Sequence, residues 1–185
     1  MTKLAIWNRA LALLPHDRRI ASESEQTVER ERCAEHWDAA RRAVLTAREW
    51  GWLVRSEPAC CGAAHTGGWF AQRPMGALLV LGFWDGMGNR VGSEPLNGGF
   101  RVRGPAREVR YLPDEEDPEM WPFAVRDAVA AELAARIAPV MTDNPARVQE
   151  LRIAAMARLE EAGRQDAQET ATDGGDPFVF VHARR

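Results

Sequence analysis

Leu4, Ile6, Trp7, Leu11 and Leu14 recur at helical spacing until Pro15 breaks the pattern, which predicts a short first helix over residues 2–14. After a loop through Ile20, Ser22 and Glu25 have the Ser-x-x-Glu spacing of a capping box. A longer second helix should follow, with Val28, Cys33, Ala34, Trp37, Ala40, Val44 and Leu45 as its apolar stripe and Gly51 as its stop. Residues 58–74 are rich in glycine and bounded by prolines, a composition that predicts loop. The apolar run Ala77 to Trp84 reads as a buried strand between two turn sequences. Phe100, Val102, Val109 and Tyr111 then alternate with Arg101, Arg103, Glu108 and Arg110 around Gly104-Pro105, the period of a half-buried hairpin.

Helical spacing returns with Phe123, Val125, Val129, Leu133 and Ile137, entered through Pro118 or Pro122 and closed near Pro139. Asn144-Pro145 is a cap and first-turn pair, and Val148, Leu151, Ala155, Leu159 and Ala162 form a seam for packing on the preceding helix as an antiparallel hairpin. The expectation is therefore a mainly α fold. A bundle of about four helices would occupy residues 1–167, with a small central antiparallel β insertion at about 77–112, followed by a linker and extended arm over 168–185.

Composition adds bounds to this picture. At 185 residues, 45% hydrophobic and 28% charged, the chain can bury a core of its own. Its net charge of −3 argues against a surface built throughout to neutralise nucleic-acid phosphates. The longest apolar run is far shorter than the roughly 20 residues of a membrane-spanning helix, and the start of the chain has no signal-peptide pattern, so a cytosolic protein is expected. Three cysteines in no disulfide spacing should be reduced there.

Candidate chemistry is sparse. Cys33 and His36 share a helix face, and Cys60, Cys61 and His65 lie close in sequence, but the spacing matches no known zinc motif and free cysteines are commonly packing residues. No phosphate loop or nucleophile elbow is present, and no cofactor or enzymatic reaction is expected. Asp114, Glu115, Glu116, Asp117 and Glu119 lack the alternation of a calcium loop and read as a solvated turn feeding a helix start. Arg101, Arg103, Arg107 and Arg110 concentrate positive charge on the expected hairpin, as a solvated face or a contact with another subunit or phosphate. Phe178, Val179, Phe180 and Val181, with Arg184 and Arg185, form an apolar, β-prone tail suited to a sheet edge or a neighbour's surface. Several of the seven tryptophans cluster near element ends. Most belong to the core, with subunit contact as the alternative.

The order of these features resembles a known family. Ala10-Leu11-Ala12-Leu13-Leu14, Arg19-Ile20, Cys33, Trp37-Asp38-Ala39-Ala40-Arg41, Val44-Leu45 and Trp50 are similar to the N-terminal part of phage tail tubular protein A and related head-to-tail adaptors. Tyr111-Leu112-Pro113, Asp117, Trp121-Pro122-Phe123, the alanine-rich stretch from Ala128 to Ala138, Ala162 to Ala167 and the closing Ala183-Arg184 look like that family's later part. One segment departs: Phe70-Ala71-Gln72-Arg73-Pro74-Met75-Gly76 stands where the family carries a Leu-Pro-x-Asp type sequence. The resemblance implies a structural virion protein without cofactor, forming a ring of twelve copies beneath the portal. It would close the packaged head and offer a platform to a downstream tail or nozzle protein, with genomic DNA passing through the channel. The arginines and the tail would then make portal or subunit contacts. The alternative is a small helical DNA-binding protein of phage genome packaging, with the arginine hairpin or the Arg41-Arg42 face on phosphates.

Overall fold

The computed structural model of the chain describes residues 1–14, 19–65 and 67–172. They divide into a helical unit, residues 1–48 with 115–172, and a β unit, residues 49–114. The mainly α expectation is overturned: helix makes up 48% and strand 22%, with two four-stranded antiparallel sheets, so the fold is mixed α and β. Strands of two to eight residues, interrupted by Gly and Pro, give a weak period-two signal beside long helices.

In the helical unit, α1 (Lys3–Ala12) starts at Thr2, whose hydroxyl accepts from the Ala5 N–H at 3.3 Å, and buries Ile6, Trp7, Ala10 and Leu11. The loop after it is held by Asn8, whose side chain both donates to and accepts from the Ile20 backbone. α2 (Val28–Thr46) is capped by Thr27, not by the expected box. Ser22 and Glu25 instead close a turn ahead of the helix, where the Glu25 carboxylate accepts from the Ala21 N–H. Thr27, extended in backbone, places its hydroxyl to accept from the Arg30 N–H, while Val28, expected in the apolar stripe, is 59% exposed. The helix ends at Thr46 with Ala47 as its cap, short of Gly51.

α3 (Phe123–Met141) is buried on nearly all sides between Val125 and Ala138, as expected of a helix enclosed by others. It packs against α1, α2 and α4 (Pro145–Thr172). The Asn144 side chain accepts from the Ala146 and Arg147 N–H groups, so the predicted cap is present. Asp127, near the start of α3, takes Arg9 of α1 and Arg158 of α4, and the α3–α4 pair is antiparallel: the start of α3 at Phe123 lies by Gln165 and Glu169 late in α4, and Pro139 at its end by Arg152 early in α4. Arg147 donates to the Leu13 carbonyl at 2.7 Å, satisfying an acceptor just past the end of α1. Trp7 meets Trp37 edge to face, ring centroids 6.3 Å apart, Trp37 stacks on Trp121 at 6.0 Å, and the Lys3 ammonium lies 4.9 Å from the Trp7 ring. α4 continues through residues 168–172, which were expected to be linker. The rest of the expected linker and arm lies outside the described residues.

The β unit contains β1 (Arg55–Pro58), β2 (Cys61–His65), β3 (Gly68–Gln72), β4 (Ala77–Trp84), β5 (Arg90–Val91), β6 (Ser93–Leu96), β7 (Gly99–Val102) and β8 (Glu108–Pro113). One sheet has the order β1-β8-β4-β5 and the other β2-β3-β7-β6, antiparallel throughout. Ala71 and Val102 of one sheet meet Phe83 and Val109 of the other, with Ala106 between them, in a shared core. The unit is a small sandwich. β4 lies where the apolar run predicts it but is not buried throughout, with only Gly82 and Phe83 fully covered and Leu79 40% exposed, and two further expectations fail. Residues 58–74 contribute strands rather than loop, so β structure begins at Arg55, upstream of 77. β7 and β8 are not a hairpin: Val102 pairs with Trp69 and Ser93, whereas Val109 pairs with Glu57 and Phe83. Residues 103–107 carry the chain from one sheet to the other. Period two states which face is buried but not which strand lies alongside.

Candidate functional site

The four arginines expected on one hairpin are distributed over two sheets. Arg101 and Arg103, on and just after β7, both pair with Glu94 of β6, at 3.5 and 2.9 Å. Hydrogen bonding from Arg103, then the charges of Arg101 and Arg103, hold the Glu94 carboxyl below its ordinary range. Arg110, on β8, pairs with Glu108 and stacks its guanidinium 4.3 Å from the Trp84 ring. Arg107 lies in the crossover, its N–H donating to the Trp84 carbonyl and its side chain beside Gly86. The positive charge seen in the sequence is thus partly answered by neighbouring carboxylates within each sheet. Phe178, Val179, Phe180, Val181, Arg184 and Arg185 lie outside the described residues.

The cysteines and acidic residues take structural positions. Cys33 is fully buried in α2, whereas Cys60 is exposed and Cys61 half-buried at the start of β2, its Sγ 3.6 Å from the Ala106 carbonyl. Among the described residues no three His, Cys, Asp or Glu side chains come together as a metal site. In the acidic turn, Glu115 accepts from the Asp117 N–H and Asp117 from the Glu119 N–H, capping a short 3-10 turn over Pro118–Met120. Arg41, read in the sequence with Arg42 as a face for phosphates, is instead 1% exposed and donates to the Glu115 carbonyl at 2.9 Å and to Asp38 at 3.3 Å, so it is not available to a phosphate. It fastens this turn to the helix.

Two surface features are new. The outer edge of β4 pairs with β5 only at Phe83 and Trp84, and arginine side chains occupy carbonyls along the rest of it. Arg73 donates to Ala77 and Leu78, and Arg90 to Leu81. Guanidinium groups placed there blunt an apolar edge that could template a further strand. In the helical unit, α2, α3 and α4 border an open groove with Ala135, Pro139 and Met156 as its apolar part and His36, Arg136 and Arg152 around it. Arg136 is held by Glu132 at 2.7 Å. Met156 is 68% exposed and Ile153 59%. Both stand off the seam that packs on α3, and apolar residues outside a seam were a readable signal for this surface.

No family model and no curated protein sequence matches the chain. Among the described residues no helix is long and apolar enough to cross a membrane.

Proposed function

We propose that the chain is a structural virion subunit, a head-to-tail adaptor of a tailed bacteriophage, acting as a ring of twelve copies at the head-tail junction. Before assembly it would reside in the host cytoplasm. The observation that carries this reading is the ordered series of residue patterns from Ala10 to Arg184 that resembles this family. Support from the fold comes from the α3–α4 pair, whose exposed side chains include Val140, Ile153 and Met156. Large apolar side chains left at a surface gain from being covered by another chain. A contact between two different surfaces of the same chain, repeated around a closed rotation, makes a ring.

In this reading the portal lies on one side of the ring and a tail or nozzle protein on the other. Arg101, Arg103, Arg107 and Arg110 provide polar contacts from the β unit, and the segment from Phe178 to Val181 with Arg184 and Arg185 reaches beyond its own subunit. No cofactor takes part. A net charge of −3 suits a channel through which DNA slides without being gripped. The test is to mix the chain with portal rings and examine the product by sedimentation and electron microscopy. A twelve-fold ring under the portal is expected, and a chain that never co-sediments with portal overturns the reading. A duplex-DNA affinity that falls steeply with salt would favour the packaging reading instead.

A further inference from the structure

The groove of the helical unit and the last residues of the sequence are complementary. The groove offers Met156 and Pro139 as apolar surface beside Arg152, Arg136 and His36, with Glu132 already engaged by Arg136. Residues 173–181 read Asp-Gly-Gly-Asp-Pro-Phe-Val-Phe-Val, two carboxylates followed by an apolar run. We propose that this segment docks in the α2–α3–α4 groove of a second copy of the chain, with Asp176 toward Arg152 and Phe178 on Met156. The inference rests on the ring reading and supplies its subunit contact.

Spacing supports the pairing. Arg152 and Met156 are one turn apart on α4, about 6 Å along the axis, and Asp176 and Phe178 are about 7 Å apart in an extended chain. Reach excludes the same copy. Met156 lies about 24 Å and Arg152 about 30 Å back along α4 from Thr172. A fully extended chain carries Phe178 at most about 21 Å and Asp176 about 14 Å from that point. The gap of about 16 Å left between Asp176 and Arg152 exceeds the reach of their side chains, so this pair forms only when a second copy provides the groove. Such a contact joins two unlike surfaces, which is the kind that closes into a ring.

The test uses the full chain carrying Phe178→Asp and Phe180→Asp, so that its own tail does not compete, titrated against a fluorescein-labelled peptide of residues 173–185. Saturable binding by anisotropy is expected. Arg152→Glu should weaken it about tenfold or more, Met156→Glu should abolish it, and a peptide with Asp176→Arg should recover the Arg152→Glu protein. Both groove residues are exposed, and circular dichroism checks that their variants stay folded. Absence of saturable binding, or binding indifferent to Met156→Glu, overturns the contact. Groove binding by a chain that forms no ring on portal retains the contact and rejects the ring reading. Rings formed by the Phe178→Asp, Phe180→Asp chain reject the contact and retain the ring.

Discussion

The Cys33 thiol sits on the inner side of α2, where burial and, secondarily, the charge of Glu29 push its pKa up to about 12 from an ordinary 9.0. A group raised in the folded state favours folding below its unfolded pKa, and that contribution is lost as pH climbs from 9 toward 12. Thermal stability should therefore fall over this window, and the fall should be smaller in Cys33→Ala. A thiol reagent at neutral pH should modify Cys60 in the native protein and reach Cys33 only after denaturation, because the reactive species is the thiolate. Arg41→Met leaves the Glu115 carbonyl without this donor, while Asp38 and Glu116 stay in water at 70% and 78% exposure. The expected loss is about 2 kcal/mol, weighted to the unpaired carbonyl and read by denaturant titration. The sequence places Cys33 in the apolar stripe of α2, where it lies, but Arg41 beside Arg42 reads as an exposed charge until the turn at Glu115, 74 positions away, is known to face it.

At the scale of elements, local chemistry that involves only a few neighbouring residues was readable. Asn144-Pro145 caps α4 as its sequence predicts, and Asn144→Ala should lower stability by about 1 kcal/mol in chemical denaturation. The spacing of Ser22 and Glu25 was equally suggestive and misplaced the helix start, because those two residues hydrogen-bond within a turn ahead of the helix and Thr27 caps it. The strands were less legible still. Gly99 shows why: a Cβ there would run into the Ala71 carbonyl oxygen of the adjacent strand, a constraint set by a partner 28 positions away. On β4, replacing Arg73 and Arg90 together by alanine should leave far-ultraviolet circular dichroism unchanged but raise light scattering on incubation. The edge carbonyls they hold would then be open to another chain.

For the whole molecule, exposed apolar side chains on the α3–α4 pair connect fold to assembly. Ile153 and Met156 contribute little to their own subunit, being mostly in solvent, so Ile153→Glu with Met156→Glu should preserve monomer stability within about 0.5 kcal/mol while reducing the yield of portal-bound rings. A variant that melts normally and assembles normally would remove this surface from the assembly. Of the arginines expected as one positive face, Arg101 and Arg103 pair with Glu94, Arg110 with Glu108 in the other sheet, and Arg107 lies in the crossover between them. Any role they have in binding is therefore exercised from separate places on the β unit.

The sequence by itself determined the helices and their number, the apolar stripe of α2 from Cys33 to Leu45, the seam of α4 and the strand from Ala77 to Trp84, all from patterns within one segment. It also carried the family resemblance on which the proposed function stands. Only the tertiary structure decided that Phe100 and Val109 belong to different sheets, that residues 58–74 pair as strands, and that His36, Arg136, Arg152 and Met156 share one groove. The physical reason is that helix hydrogen bonds close within four residues, whereas strand pairing, grooves and buried guanidinium groups depend on partners far along the chain.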